Sequence, residues 1–357
     1  MTQEQHYDAV VIGSGQGGNP LARALADSGR RTALVEREHV GGTCINEGCT
    51  PTKTMIASAK VAYLNRRSAD YGVHDGPVSV DMKKVRQRKR EIVDSFRDGD
   101  ERRLERAGVD LVLGEASFAA PEELAVRITE GGTLRLTAGN VFINVGARPS
   151  SPPVEGLDSV PTLTSTTVME LDEVPEHLLV LGGGYVGLEF AQMFRRFGSE
   201  VTILQRGPQL LSREDADVAG AVADLLREDG VEVLLETRAE RAGQTASGRI
   251  ELAVRTPQGE RELEGSHLLV AAGRTPNTDT LGLNAAGVET DEKGFIRVNE
   301  RLATNVAGIW ALGDVKGGAA FTHVSYDDFR VIKANLIDGA DATTYGRLIP
   351  YTLFTDP

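Results

Sequence analysis

Cysteine is nearly missing from this chain of 357 residues: there are two, Cys44 and Cys49. A pair that close in a long chain is not a disulfide scaffold, which is short and cysteine-dense. With no third cysteine it is also a poor zinc site, and the six histidines (His6, His39, His74, His177, His267 and His323) show no ligand spacing, so no resident metal is expected. Apolar runs are short, none reaching the ~18 residues of a membrane span. The polar start, Met1 to His6, leads straight into an apolar stretch without the pattern of a secretory signal. Positive charge is in deficit, with 39 Lys and Arg against 52 Asp and Glu and a net charge of −13, which disfavours nucleic acid as a partner. These absences leave a soluble cytoplasmic protein as the default expectation. Glycine is plentiful, at 40 residues, without the three-residue period of collagen; it clusters in short loops. The length predicts two or three domains.

The first glycine cluster carries chemistry. Tyr7 to Ile12 is a short apolar run ending in Gly13-Ser14-Gly15-Gln16-Gly17-Gly18. A helical stretch with Leu21, Ala24 and Leu25 follows, and then a second strand, Thr32 to Glu36. This is a βαβ unit with the dinucleotide fingerprint in its required context. Glycines let the backbone approach a pyrophosphate, and the helix N-terminus offers unpaired N–H groups. Glu36 stands where a carboxylate accepts hydrogen bonds from both ribose hydroxyls. The pattern recurs 169 residues later: Leu178 to Leu181, then Gly182-Gly183-Gly184-Tyr185-Val186-Gly187, a helix to Phe197 and a strand to Leu204. Two such sites imply two dinucleotides.

Each unit is followed by an apolar strand ending in glycine and, soon after, proline: Val141 to Gly146 with Pro149, and Leu268 to Gly273 with Pro276. Gly308 to Asp314 is another strand running into a Gly-Asp turn. It reads as the missing strand of the first domain, so the second domain is expected as an insertion into the first. The predicted fold is α/β, two Rossmann-like three-layer domains. Residues 1–150 and 277–345 form the first, 151–276 the second, and 346–357 begin a third. Residues 81–106 read as a solvated amphipathic helix with Val85, Ile92, Val93 and Phe96 on its apolar face.

Between the two halves of the cysteine pair lie Ile45-Asn46-Glu47-Gly48, and Pro51 is expected to open a helix through Ala62, placing the pair at a helix N-terminus that stabilises a thiolate. The pair reads either as redox-active or as two inert thiols.

Taken in order, Gly13 to Gly18, Glu36, Gly42-Thr43-Cys44, Cys49, Pro51, Lys53, Gly182 to Glu189, and Thr304 with Ala311 to Asp314 resemble the pyridine nucleotide-disulfide oxidoreductases of the glutathione reductase, lipoamide dehydrogenase and mercuric reductase type. The resemblance implies FAD over Gly13, Ser14, Gly15, Gly18 and Glu36, with Gly42, Thr43, Lys53, Gly114, Gly146, Arg148 and Gly313 around it and Asp314 holding its ribityl chain. It implies NADPH or NADH over Gly182, Gly184, Tyr185, Val186, Gly187, Gln205, Arg206, Gly273 and Arg274. Cys49 would face the flavin and Cys44 the substrate, a small disulfide or a metal ion. Lys53 would pair with Glu189, and Tyr185 would gate the nicotinamide pocket. Asn19-Pro20, Glu47, Thr50 and Thr52 depart from the disulfide reductases toward the mercuric-reductase-like branch. The ending, Ile349 to Pro357, resembles the first strand of the family's C-terminal dimerisation domain, whose His–Glu pair is not in this chain. A homodimer is therefore expected of the full-length protein, and a poorly active monomer of this chain. Two rival readings are a non-catalytic dinucleotide-binding fragment and a flavoprotein reducing oxygen or quinones with the disulfide idle.

Overall fold

The structure, a computed structural model, describes residues 3–74 and 76–356. Along the chain run β1 (Gln3–Ile12), α1 (Gly18–Asp27), β2 (Thr32–Glu36), α2 (Gly42–Asn46), α3 (Cys49–Arg66), α4 (Met82–Arg106), β3 (Asp110–Ala120), β4 (Glu123–Ile128) and β5 (Thr133–Ile143). Then come β6 (Thr162–Leu163), β7 (His177–Leu181), α5 (Tyr185–Phe197), β8 (Glu200–Leu204), α6 (Ala216–Glu228), β9 (Glu232–Leu234), β10 (Arg238–Gln244), β11 (Ile250–Thr256), β12 (Gly259–Gly265), β13 (His267–Val270), β14 (Ile309–Ala311) and α7 (Thr322–Leu336). No described helix is long and apolar enough to cross a membrane.

Two compact units result. The first takes the chain up to Asn46, Val93–Arg148 and Thr275–Tyr351; the second takes Glu47–Ile92, Pro149–Arg274 and the residues from Thr352. The first unit has a parallel sheet in the order β3-β2-β1-β5-β14, with β4 bridging β3 and β5 antiparallel. The central stretches Ala9–Ile12, Ala33–Val35 and Val141–Ile143 are apolar without interruption because both faces are covered there. Val10, Ile12, Val35 and Ile143 face one core with Leu124 and Val126 of β4. Ala9, Val11, Leu34 and Phe142 face the other, against Leu21 and Leu25 of α1 and Phe329 and Ile332 of α7. Register sets the site: Ile12 lies opposite Val35 and Ile143, and Ile143 opposite Ala311. Gly13, Asn144 and Leu312 therefore leave the carboxyl edge of the sheet at one level, beside Glu36, the last residue of β2. That edge is where open α/β sheets bind ligands.

The second unit repeats the plan with the parallel order β9-β8-β7-β13-β6 and an antiparallel layer, β10-β11-β12. Leu181 lies opposite Leu204 and Val270, so Gly182, Gln205 and Ala271 emerge together.

Several expectations need correction. The chain crosses between units after Arg148 and Arg274, and residues 47–92 cluster with the second unit. The reason is packing: Met55 and Ala59 of α3 and Met82 of α4 share a core with Leu188, Phe190 and Phe194 of α5. Helix α3 starts at Cys49, not Pro51, and Cys44 lies on the separate short helix α2. The helix predicted over 81–106 forms, but Phe96 is exposed, while Lys89 is buried in an ion pair with Glu170.

Candidate active site

The two glycine loops share the same backbone contacts at their first and last glycines. In the first, the Gly13 N–H donates to Val35 at 2.8 Å; in the second, the Gly182 N–H donates to Leu204 at 2.9 Å. A Cβ on Gly13 would come within 2.5 Å of the Asn144 carbonyl, and one on Gly182 within 2.5 Å of the Ala271 carbonyl. A Cβ on Gly18 would lie 2.1 Å from the Gly13 oxygen, and one on Gly187 lies 2.1 Å from the Gly182 oxygen. Neither position admits a side chain. Gly184 differs: a Cβ there would meet nothing within 4 Å, which leaves open the space that an approaching pyrophosphate needs.

The residue at the end of the second strand completes each loop. The Glu36 carboxylate accepts from the Ser14 N–H at 3.0 Å and the Ser14 hydroxyl at 2.6 Å. In the second unit the Gln205 amide oxygen accepts from the Gly183 N–H at 3.1 Å, while its nitrogen donates to Gln209 at 3.0 Å. An acid in one loop and a neutral amide in the other is the chief electrostatic difference between them. Beyond Gln205, Arg206 and Arg213 are exposed, and neither makes an ion pair or hydrogen bond among the described residues. The first loop also fits a bound group on other grounds. Asn19, buried in the first turn of α1, has neither amide atom hydrogen-bonded among the described residues.

Around the first loop, the Gly42 backbone abuts Gly15, where a Cβ on Gly42 would be 2.6 Å from the Gly15 Cα. Thr43 is exposed. Cys44 is half-buried and its Sγ accepts from the Thr322 hydroxyl at 3.6 Å, at the first residue of α7. Gly313 and Asp314 lie in the 3-10 turn Gly313–Lys316. Gly146 has φ 66° and its carbonyl accepts from Asn277 at 3.1 Å. Gly114 lies within β3 opposite Ile128, and Arg148 forms a surface ion pair with Asp279 at 3.0 Å. Gly114 follows Leu113, which pairs with Glu36 at the end of β2.

In the second unit, Cys49 is exposed at the first residue of α3, one turn before Lys53. Lys53 donates to Glu189 of α5 at 2.6 Å. Glu189 is 7% exposed and also accepts from the Phe354 N–H at 3.2 Å. The Phe354 ring lies 4.6 Å from the Lys53 ammonium. Tyr185 opens α5 and its phenol donates to Glu214; Val186 beside it is exposed. Gly273 has φ 143°, and Arg274 is half-buried. No group of three or more His, Cys, Asp or Glu is arranged to hold a metal ion among the described residues.

Three polar residues of the first unit escaped the sequence reading: Asn144, Thr322 and Asp328. Asn144 left one signal, a lone amide in the apolar run Val141 to Val145.

Residues 7–328 match the family model described as pyridine nucleotide-disulphide oxidoreductase. The chain is 38% identical over 356 residues to the probable pyridine nucleotide-disulfide oxidoreductase RclA of Escherichia coli (strain K12), covering 98% of this chain and 76% of that protein. It is 38% identical over 354 residues to the mercuric reductase of Streptomyces lividans, covering 98% of this chain and 74% of that protein. One solved structure, the Cu(II) complex of the HOCl-induced flavoprotein disulfide reductase RclA from Escherichia coli, superposes with a TM-score of 0.88 at 37% identity, covering 98% of this chain and 75% of that one.

Proposed function

We propose, because this chain belongs to the pyridine nucleotide-disulphide oxidoreductase family, that it holds FAD over Gly13–Gly18 and NADPH over Gly182–Gly187, and sends electrons through Cys44 and Cys49 to a small disulfide or a soft metal ion. The observation that carries this reading is the twinned loop geometry, one loop closed by Glu36 and the other by Gln205. In the first unit Gly13, Ser14, Gly15, Gly18, Glu36, Gly42, Thr43 and Asp314 would hold the flavin. Bound FAD supplies two-electron exchange between a nicotinamide and a disulfide. The chain's own residues do the rest.

Reduction of the Cys44–Cys49 disulfide takes two electrons and two protons and yields two thiols. As a thiolate, Cys44 attacks one sulfur of the substrate disulfide; a mixed disulfide forms and one substrate thiol leaves. Cys49 then attacks the Cys44 sulfur, releases the second thiol and restores the protein disulfide. Lys53, fixed by Glu189, keeps a positive charge one turn after Cys49, and Tyr185 covers the nicotinamide pocket. A thiolate pair also suits soft cations. The Streptomyces relative is named for mercuric ion, and the solved RclA structure is a Cu(II) complex, so metal ions form the second acceptor class.

Anaerobic addition of NADPH to the FAD-loaded protein should expose two new thiols per chain to a thiol reagent. NADPH consumption in air with no thiols gained would mean that electrons bypass the cysteines.

NADPH is expected over NADH. A carboxylate at the end of the second strand would repel a 2′-phosphate, and here the position holds the neutral Gln205, followed by Arg206. A guanidinium offers two charge-assisted hydrogen bonds to a phosphate. Arg206→Glu should therefore lower kcat/KM for flavin reduction by NADPH roughly 10- to 100-fold and leave that for NADH nearly unchanged. Equal use of both nucleotides by the wild type, or no loss in the variant, would show that Arg206 does not read the phosphate.

A further inference from the structure

One peptide unit of the first domain is held at both ends by buried side chains. Asn144, at the end of β5, donates from Nδ2 to the Leu312 carbonyl at 2.9 Å. Asp328 of α7, 0% exposed, accepts the Gly313 N–H at 2.9 Å. That carbonyl and that N–H belong to the same peptide, and Asp314 is the next residue. The other end of the Asn144 amide is also used, since its Oδ1 accepts the Gly18 N–H at 2.8 Å. One side chain thus joins the start of α1 to the turn that presents Asp314. The turn has no slack: Gly313 has φ 76°, and a Cβ there would fall 2.7 Å from Ser325 Oγ and 2.8 Å from Asn144 Nδ2. Arg347, at 2.6 Å, and Lys316, at 3.3 Å, offset the Asp328 charge.

The second unit shows that the loop fold does not require this tether. Ala271 occupies the place of Asn144: its N–H donates to Leu181 at 2.9 Å, as that of Asn144 donates to Ile12 at 2.8 Å. A Cβ on the loop glycine would fall the same 2.5 Å from its carbonyl. An alanine suffices for strand-to-loop packing, so the amide serves something that the second unit lacks, the Leu312–Gly313 turn.

We propose that Asn144 and Asp328 are positioning residues that orient the Leu312–Gly313 peptide and so set Asp314 against the flavin. Asn144 also couples the grip on the two ends of that cofactor. This rests on the reading that FAD occupies the first unit.

The test measures FAD affinity of the apoprotein by flavin fluorescence, with ADP as a competitor that fills only the pyrophosphate end. Asp328→Leu should weaken FAD ~30-fold or more and leave ADP within about threefold, because Asp328 holds the Asp314 turn and makes no bond to the Gly13–Gly18 loop among the described residues. Asp328→Asn keeps an acceptor oxygen for Gly313 and should recover most of the loss. Asn144→Ala should weaken both FAD and ADP, since it also frees Gly18. NADPH affinity, read at the second unit, should stay within about twofold throughout and reports correct folding. Should Asp328→Leu fail that check, Asn144→Ala decides alone. Wild-type FAD affinity in Asn144→Ala, or equal losses of FAD and ADP in Asp328→Leu, would overturn the assignment. A wild-type chain that binds no FAD would instead sink the functional reading itself, and this inference with it.

Discussion

Cys44→Ser is expected to retain FAD and its reduction by NADPH while disulfide reduction falls by roughly three orders of magnitude or more. The substitution changes one atom, so packing on α2 is preserved, and the Thr322 hydroxyl keeps an acceptor. What is lost is a nucleophile. A serine hydroxyl is not ionised near neutral pH, whereas a thiol beside the N-terminal end of the 15-residue helix α7 lies in a field that favours its anion. Cys49→Ser should be as inactive toward disulfides but for a different reason: Cys44 still attacks, and the mixed disulfide then has no second thiol to resolve it. Mass spectrometry separates the two, since only Cys49→Ser should accumulate a substrate adduct. Full activity of Cys44→Ser would remove the dithiol from the reaction, and an adduct on Cys44→Ser would exchange the roles of the two sulfurs.

Gly187→Val should lower kcat/KM for flavin reduction by NADPH about 10²- to 10⁴-fold, while FAD content and reduction by dithionite remain normal. The position has no room, because even a methyl group would lie 2.1 Å from the Gly182 carbonyl. The loop must open, and its N–H groups then miss the pyrophosphate. Loss of two charge-assisted bonds is worth about 3–6 kcal/mol, which sets the range. Gly18→Val is the mirror experiment: it should yield protein without flavin that still binds NADPH. Flavin loss from Gly187→Val with flavin retained in Gly18→Val would reverse the assignment of the two loops.

The parts legible in the sequence were those whose meaning is local. Each glycine motif sits between a strand and a helix, and the short run Ile309–Ala311 could be placed in the first sheet because apolar residues ending at Gly313-Asp314 repeat the pattern of Val141 to Gly146. The Lys53–Glu189 pair was legible only through the family resemblance, since 136 residues separate its members. Asn144 shows what local pattern cannot hold. Its two partners lie 126 and 168 residues away, and both are backbone atoms that leave no trace in composition. Lys89 reads as one more charge on a solvated helix until Glu170 is found beside it. The grouping of residues 47–92 with the second unit depends likewise on which helix faces α5, and periodicity gives a face without its neighbour.

The late position of β14 in the chain bears on how the protein is made. Its pairing partner, Val141–Ile143, leaves the ribosome 168 residues before the matching residues of Ile309–Ala311 can cover it, roughly 10–30 s at ordinary elongation rates. The second unit's five-stranded sheet is complete by Val270, so a nascent chain has that sheet while the first unit's sheet still shows an open edge. That edge carries Val141, Phe142 and Ile143, all buried in the finished fold, and an unpaired apolar edge recruits other strands. Slower translation between Ile143 and Ile309 is therefore expected to lower the yield of folded first unit unless that edge is shielded meanwhile. Limited proteolysis of ribosome-bound chains would read this as protection of the second sheet before the first.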